Sequence, residues 1–213
     1  MMVKRIALAM VLLSIICASS AYVPGQQTQL PPSKKLNKIV FDGDMAALLS
    51  YLAAKHNINI GFETDPLVLR PRVKIDAWFD TLEDVLDIIV QAEPRYRWRK
   101  LNGFIDVYPR EASCPLLDTV INGFQVDDID WAGASQALTN MPEVKSQLEA
   151  IGLTRRDLTH ASRGAEVNIF SLRLENVTLR QALHEITQKS RNSFWMFQRH
   201  GARGRLFSIS NIA

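Results

Sequence analysis

The sequence predicts an α+β fold: two tandem small βαββαββ-like modules, each with two helices packed on a small mixed sheet, the second carrying an inserted helix. Three observations predict it. Short runs of alternating apolar residues, the period of half-buried strands, give way repeatedly to helical spacing. A set of residues recurs at a constant offset of 97: Val73, Ile75, Thr81, Leu82, Val85 and Leu86 answer to Phe170, Leu172, Thr178, Leu179, Ala182 and Leu183, and Trp98 answers to Trp195. Asn102-Gly103, a dipeptide that readily takes positive φ, separates two such runs and favours a tight hairpin.

The first 21 residues read as a cleavable secretory signal peptide: Lys4 and Arg5, an apolar run from Ile6 to Cys17, then the small residues Ser19, Ser20 and Ala21, with cleavage expected after Ala21. The run is shorter than the roughly twenty residues that span a hydrocarbon core, so it is read as removed. Ile15 and Ile16 precede Cys17 where lipoprotein processing wants small residues, which argues against lipidation. No later segment is apolar for long enough to span, so the mature chain is expected to be soluble, in the periplasm or secreted.

Removing Lys4 and Arg5 from the 25 Lys+Arg leaves 23 against 22 Asp+Glu, a net charge of +1, so most of the basicity belongs to the signal and nothing pulls the mature chain generally toward nucleic acid. Only Cys114 remains after cleavage, so no intramolecular disulfide is expected. It would sit buried near a linker or pair between chains.

Residues 22–35, with Pro24, Gly25, Pro31 and Pro32, read as a flexible linker. The first module spans 36–110. A strand over 36–41 leads to a helix marked by Met45, Leu48, Leu49 and Leu52, then a strand over 58–62. Val73, Ile75, Ala77 and Phe79 share one face of the next strand. Leu82, Val85, Leu86 and Ile89 make the apolar stripe of a second helix, whose capping box is read as Asp80 with Glu83 or a pair one residue along. Strands over 96–100 and 104–108 close the module around Asn102-Gly103.

A linker over 111–119 joins the second module, 120–213. A strand over 120–126 precedes a helix marked by Ala134, Ala137, Leu138 and Met141. Pro142 opens the inserted helix and Gly152 follows its end. Residues 154–166 are polar and loop-like, and the middle strand of this module has no clear place. Thr178 with Gln181 caps the last helix, and strands over 194–199 and 205–210 form the final hairpin.

Enzyme chemistry finds no motif. His184-Glu185 lacks a second histidine at metalloprotease spacing, and Asp127, Asp128 and Asp130 lack the glycine turn and distant glutamate of a calcium loop, fitting a helix start instead. No cofactor is expected. The candidate partner-binding residues are basic: Arg95, Arg97 and Arg99 alternate with Tyr96 and Trp98 in the first hairpin, and Arg199, Arg203 and Arg205 occupy the second. Such a face suits acidic proteins, or anionic glycans or lipids, and equally guards a sheet edge against aggregation.

The pattern Phe41-Asp-Gly-Asp-Met45, Leu48-Leu49, Asn57-Ile-Asn-Ile60, Val73-Lys-Ile75, Thr81-Leu-Glu-Asp-Val-Leu86, Tyr96-Arg-Trp98 and Phe104-Ile-Asp-Val107 resembles the secretin and TonB short N-terminal domain, throughout the first module and from Val167 onward in the second. No secretin pore or receptor barrel follows in this sequence. The resemblance implies a periplasmic protein-interaction module without catalytic or metal-binding residues, an adaptor or assembly factor for an envelope secretion or uptake system, whose partner is a secretin, an outer-membrane receptor or a pilus-type component. Two other functions compete: a binder of cell-wall or lipid polyanions through the basic hairpins, and an envelope hydrolase with a site between the modules, for which His160, His184 and Cys114 are the candidates.

Overall fold

The computed structural model describes residues 38–67, 70–111, 113–156, 168–200 and 205–211; the expected signal peptide, the 22–35 linker, Cys17, His160 and Arg203 lie outside the described residues. The chain is α+β. The first half runs β1 (Ile39–Asp44), α1 (Met45–His56), β2 (Ile60–Glu63), β3 (Arg72–Ala77), α2 (Leu82–Ala92), β4 (Tyr96–Leu101) and β5 (Phe104–Pro109). The second runs β6 (Val120–Ile129), α3 (Trp131–Thr139), α4 (Pro142–Ile151), β7 (Thr154–Arg155), β8 (Phe170–Thr178), α5 (Leu179–Lys189), β9 (Phe194–His200) and β10 (Leu206–Asn211).

Local chemistry sets these boundaries. Asp44 accepts from the Ala46 amide at 2.8 Å and starts α1, and Asn57, at φ 50°, ends it. The capping box of α2 falls one residue later than the sequence suggested: Thr81 Oγ1 accepts from the Asp84 amide at 3.1 Å while the Asp84 carboxylate accepts from the Thr81 amide at 3.0 Å. That of α5 is the expected Thr178–Gln181 pair. Asn102 and Gly103 take φ 49° and 89° in the β4–β5 turn, and Gly152 takes φ 65° just past α4. The inserted helix α4 begins at Pro142 as anticipated.

The two halves share their strand connectivity. Each has an antiparallel ribbon, β1–β3 or β6–β8, and a hairpin, β4–β5 or β9–β10, whose second strand takes a parallel neighbour, β2 or β7. The two-residue strand β7 therefore takes the middle-strand position in the second half; its sequence, Thr154-Arg155, is too short and polar to announce a strand.

The halves are not two separate sheets. Strand β2 pairs in parallel with β9 and joins them into one six-stranded sheet of order β4-β5-β2-β9-β10-β7. In this sheet β4 runs against β2 while β9 runs with it, so the second half is turned end for end, and its helices fall on the opposite face. On one side, Ile60, Phe62, Ile105, Val107 and Phe194 pack with the α1 and α2 residues Leu48, Leu52, Val85 and Ile89; on the other, Trp195, Phe197, Phe207 and Ile209 pack with Leu138, Leu179, Leu183 and Ile186 of α3 and α5. The central strand β2 is thus buried on both faces along its whole length. The 111–119 segment contributes to the second core: a 3-10 turn, Pro115–Asp118, buries Leu116 and Leu117 beside Cys114.

Candidate functional site

The basic strand β4 is the terminal strand of the six-stranded sheet. Its alternation is as the sequence suggested. Tyr96 is buried against the first core, its hydroxyl accepting from the Asp65 amide at 2.8 Å, and Trp98 packs on the same side and donates to Asp87 at 2.8 Å. On the other face, Arg97 and Arg99 lie opposite Tyr108 and Asp106 of β5. Both guanidinium carbons sit over the Tyr108 ring, 4.7 and 4.9 Å from its centroid. Arg99 Nε also donates to Asp106 at 3.2 Å, whereas Arg97 engages no carboxylate among the described residues.

The other basic candidates are placed differently. Arg95 is held by Glu93 through two contacts of 2.6 Å, which draw the Glu93 carboxyl below its usual range. Arg199 is half-buried near the end of β9, and Arg205 is exposed just before β10. Strands β4 and β10 are four strand spacings apart in the sheet, about 19 Å. Among the described residues the two hairpins therefore do not make one basic patch, and of the described basic candidates Arg97 and Arg99 are brought together over one ring.

A second constellation, which sequence reasoning missed, lies buried where the halves meet. Glu63 of β2 and Asp106 of β5 are 0% exposed, and Arg180 and His184 of α5 only 1%. Glu63 accepts from Arg180 Nη2 at 2.7 Å, from the Ser113 hydroxyl at 3.0 Å and from the Cys114 amide. Arg180 Nη1 stands 3.9 Å from Asp106. Arg180 occupies the first turn of α5, where the helix dipole disfavours a cation, so its placement answers to Glu63 and Asp106 and not to the helix. The available signal was a carboxylate inside each of two otherwise apolar strands, Ile60-Gly-Phe-Glu63 and Phe104-Ile-Asp-Val107.

His184 bridges the same junction. Trp195 Nε1, a donor only, donates to His184 Nδ1 at 3.1 Å, which leaves Nε2 to donate to Asp106 at 2.6 Å. With both nitrogens occupied, His184 has none to offer a nucleophile. Burial pushes the Cys114 thiol up, away from the thiolate. Among the described candidates, His184 and Cys114 thus do not form a base and nucleophile. Cys114 is expected to react with a thiol reagent only after denaturant is added; rapid stoichiometric labelling of the native chain would contradict its burial.

Asp106 makes the junction pH-sensitive. Burial acts to raise its carboxyl, but the His184 hydrogen bond and the Arg180 and Arg99 charges outweigh burial and hold it below the usual carboxylate value. A depressed folded-state value means stability that is present above the unfolded carboxylate value, about 4, and lost as pH falls through the folded one. Urea midpoints should therefore drop below about pH 4, and Asp106→Asn should flatten that part of the profile.

Of the remaining acidic candidates, Asp130 caps α3 by accepting from the Gly133 amide at 2.7 Å, Asp127 accepts from Gln125 at 3.2 Å, and Asp128 occupies a β-bulge at φ 49°. Among the described residues no three histidine, cysteine or acidic side chains converge as a metal site, and no helix is long and apolar enough to cross a membrane. One aromatic residue stands out at the surface: Trp78, just after β3, is 76% exposed, on the side away from Val73 and Ile75 as alternation requires.

Comparison with protein-family models found no match to this chain, and comparison with curated proteins found none.

Proposed function

We propose that the mature chain is an exported, periplasmic protein-interaction module, an adaptor or assembly factor for an envelope secretion or uptake system. The observation that carries this reading is the edge at β4, where exposed cations stand beside a ladder that ends among the described residues. A sheet edge is a ready template for an added strand, and side chains flanking it select the strand that binds. Export rests on the sequence pattern at Lys4, Arg5 and Ser19-Ser20-Ala21. The resemblance of both halves to the secretin and TonB short N-terminal domain supports an envelope machine as the setting.

The test is cross-linking of tagged mature chain in its native envelope at low and high salt. Salt-resistant capture of one secretin, receptor or pilus-type component is the expected result. Capture of no protein at either salt concentration would overturn the reading.

A further inference from the structure

We propose that the partner of the β4 edge is an extended segment with carboxylates at alternate positions, laid beside β4 as a seventh strand. The inference rests on the interaction-module reading and gives its partner a chemistry. Arg97 and Arg99 are two residues apart on one strand, hence on one face and about 6.8 Å apart along it. Side chains at i and i+2 of an added strand have the same spacing.

Three features make this pair a reader of carboxylates. Tyr108 holds both guanidinium groups over one ring, which limits the rotamer freedom that binding would otherwise remove. Arg99 already shows the geometry, since it meets the Asp106 carboxylate directly across the β4–β5 pair; the added strand would present carboxylates from the opposite side. The charge is also one-sided. On the far face of β4, Lys100 is paired with Glu83 at 3.3 Å and Trp98 with Asp87, so the unmatched cation of the edge lies on the Arg97 side.

The sheet itself grows by this kind of step. Strand β9 adds to β2 in parallel over four residue pairs, and an acid–base pair, Glu63 with Arg180, fixes the junction. An acidic strand on β4 would repeat the device at the other edge of the first half, with the charges exchanged.

The probes are two synthetic peptides of identical composition, one alternating glutamate with valine and threonine, the other with its glutamates in one block. Binding to the mature chain is followed by fluorescence anisotropy, and amide hydrogen exchange locates the contact. The alternating peptide is expected to bind about tenfold more tightly than the blocked one and to slow exchange within residues 96–101. The double variant R97E/R99E should lose that preference while keeping its exchange pattern in β2 and β9, which reports intact folding. Equal affinity for both peptides would show polyanion attraction alone and overturn the proposal, as would absence of binding or protection elsewhere. If the alternating peptide fails while envelope cross-linking still captures one protein, the edge assignment falls and the interaction-module reading stands; if cross-linking captures nothing, the reading itself falls.

Discussion

Replacing Arg180 by methionine is expected to destabilise the chain by about 3–5 kcal/mol, the cost of removing one partner from a buried ion pair. The loss arises less from the missing attraction than from what remains. Glu63, buried with no solvent contact, would be left with only the Ser113 hydroxyl and the Cys114 amide, and Asp106 would lose a cation at 3.9 Å. Lysine at the same position should not rescue, because an ammonium cannot span Glu63 and Asp106 as the planar guanidinium does. The double variant Glu63→Gln, Arg180→Met should recover much of the stability, since the neutral amide still accepts from Cys114 and leaves no unpaired charge. Urea unfolding of the four proteins gives the cycle. A single-variant loss under about 1 kcal/mol would mean that the junction is solvated and that the halves are not joined as described.

Gly61→Ala is expected to cost about 3 kcal/mol, at the upper end of overpacking penalties. A methyl group there would sit 2.5 Å from Trp195 Cζ2, 2.6 Å from Cε2 and 2.8 Å from Nε1. The indole cannot retreat: it is fully buried, lies between the shared sheet and α5, and donates to His184. Gly61 is thus the space that lets the second half close onto the first, and the variant should also lose near-ultraviolet circular dichroism from the displaced ring. Gly123→Ala is the control, because a methyl group at Gly123 meets nothing within 4 Å and should leave stability unchanged or slightly raised. Equal behaviour of the two variants would contradict the packing of Trp195.

Both predictions concern the junction, the part of the fold least legible in the sequence. Where information is local, the reading was close: the α2 stripe of Leu82, Val85, Leu86 and Ile89, the Asn102-Gly103 turn and the Pro142–Gly152 bounds of α4 each depend on neighbours within a few residues. The pairing of β2 with β9 joins residues more than a hundred positions apart and leaves no periodic trace. Strand β2 was recognisable as a strand, but Glu63 at its end carries no mark of its partner, Arg180. Strand β7 failed for a different reason, since two polar residues contain no period. At the candidate site, alternation correctly placed Arg97 and Arg99 opposite Tyr96 and Trp98. What it lacked was the cross-strand register, which brings Tyr108 and Asp106 beside them and separates Arg205 by four strand spacings.

The six-stranded sheet, joined across a buried charge junction, ends at β4 among the described residues, and the claim that this edge meets the partner can be tested directly in the envelope. The measurement is photo-cross-linking from a reactive residue placed at Lys100, which leaves Arg97 and Arg99 intact, compared with the same residue at the exposed Trp78. Capture of one envelope protein from position 100, abolished by R97E/R99E and absent from position 78, is the result expected. Capture of that protein from position 78 alone would move the interface to the β1–β3 ribbon and contradict the β4 edge.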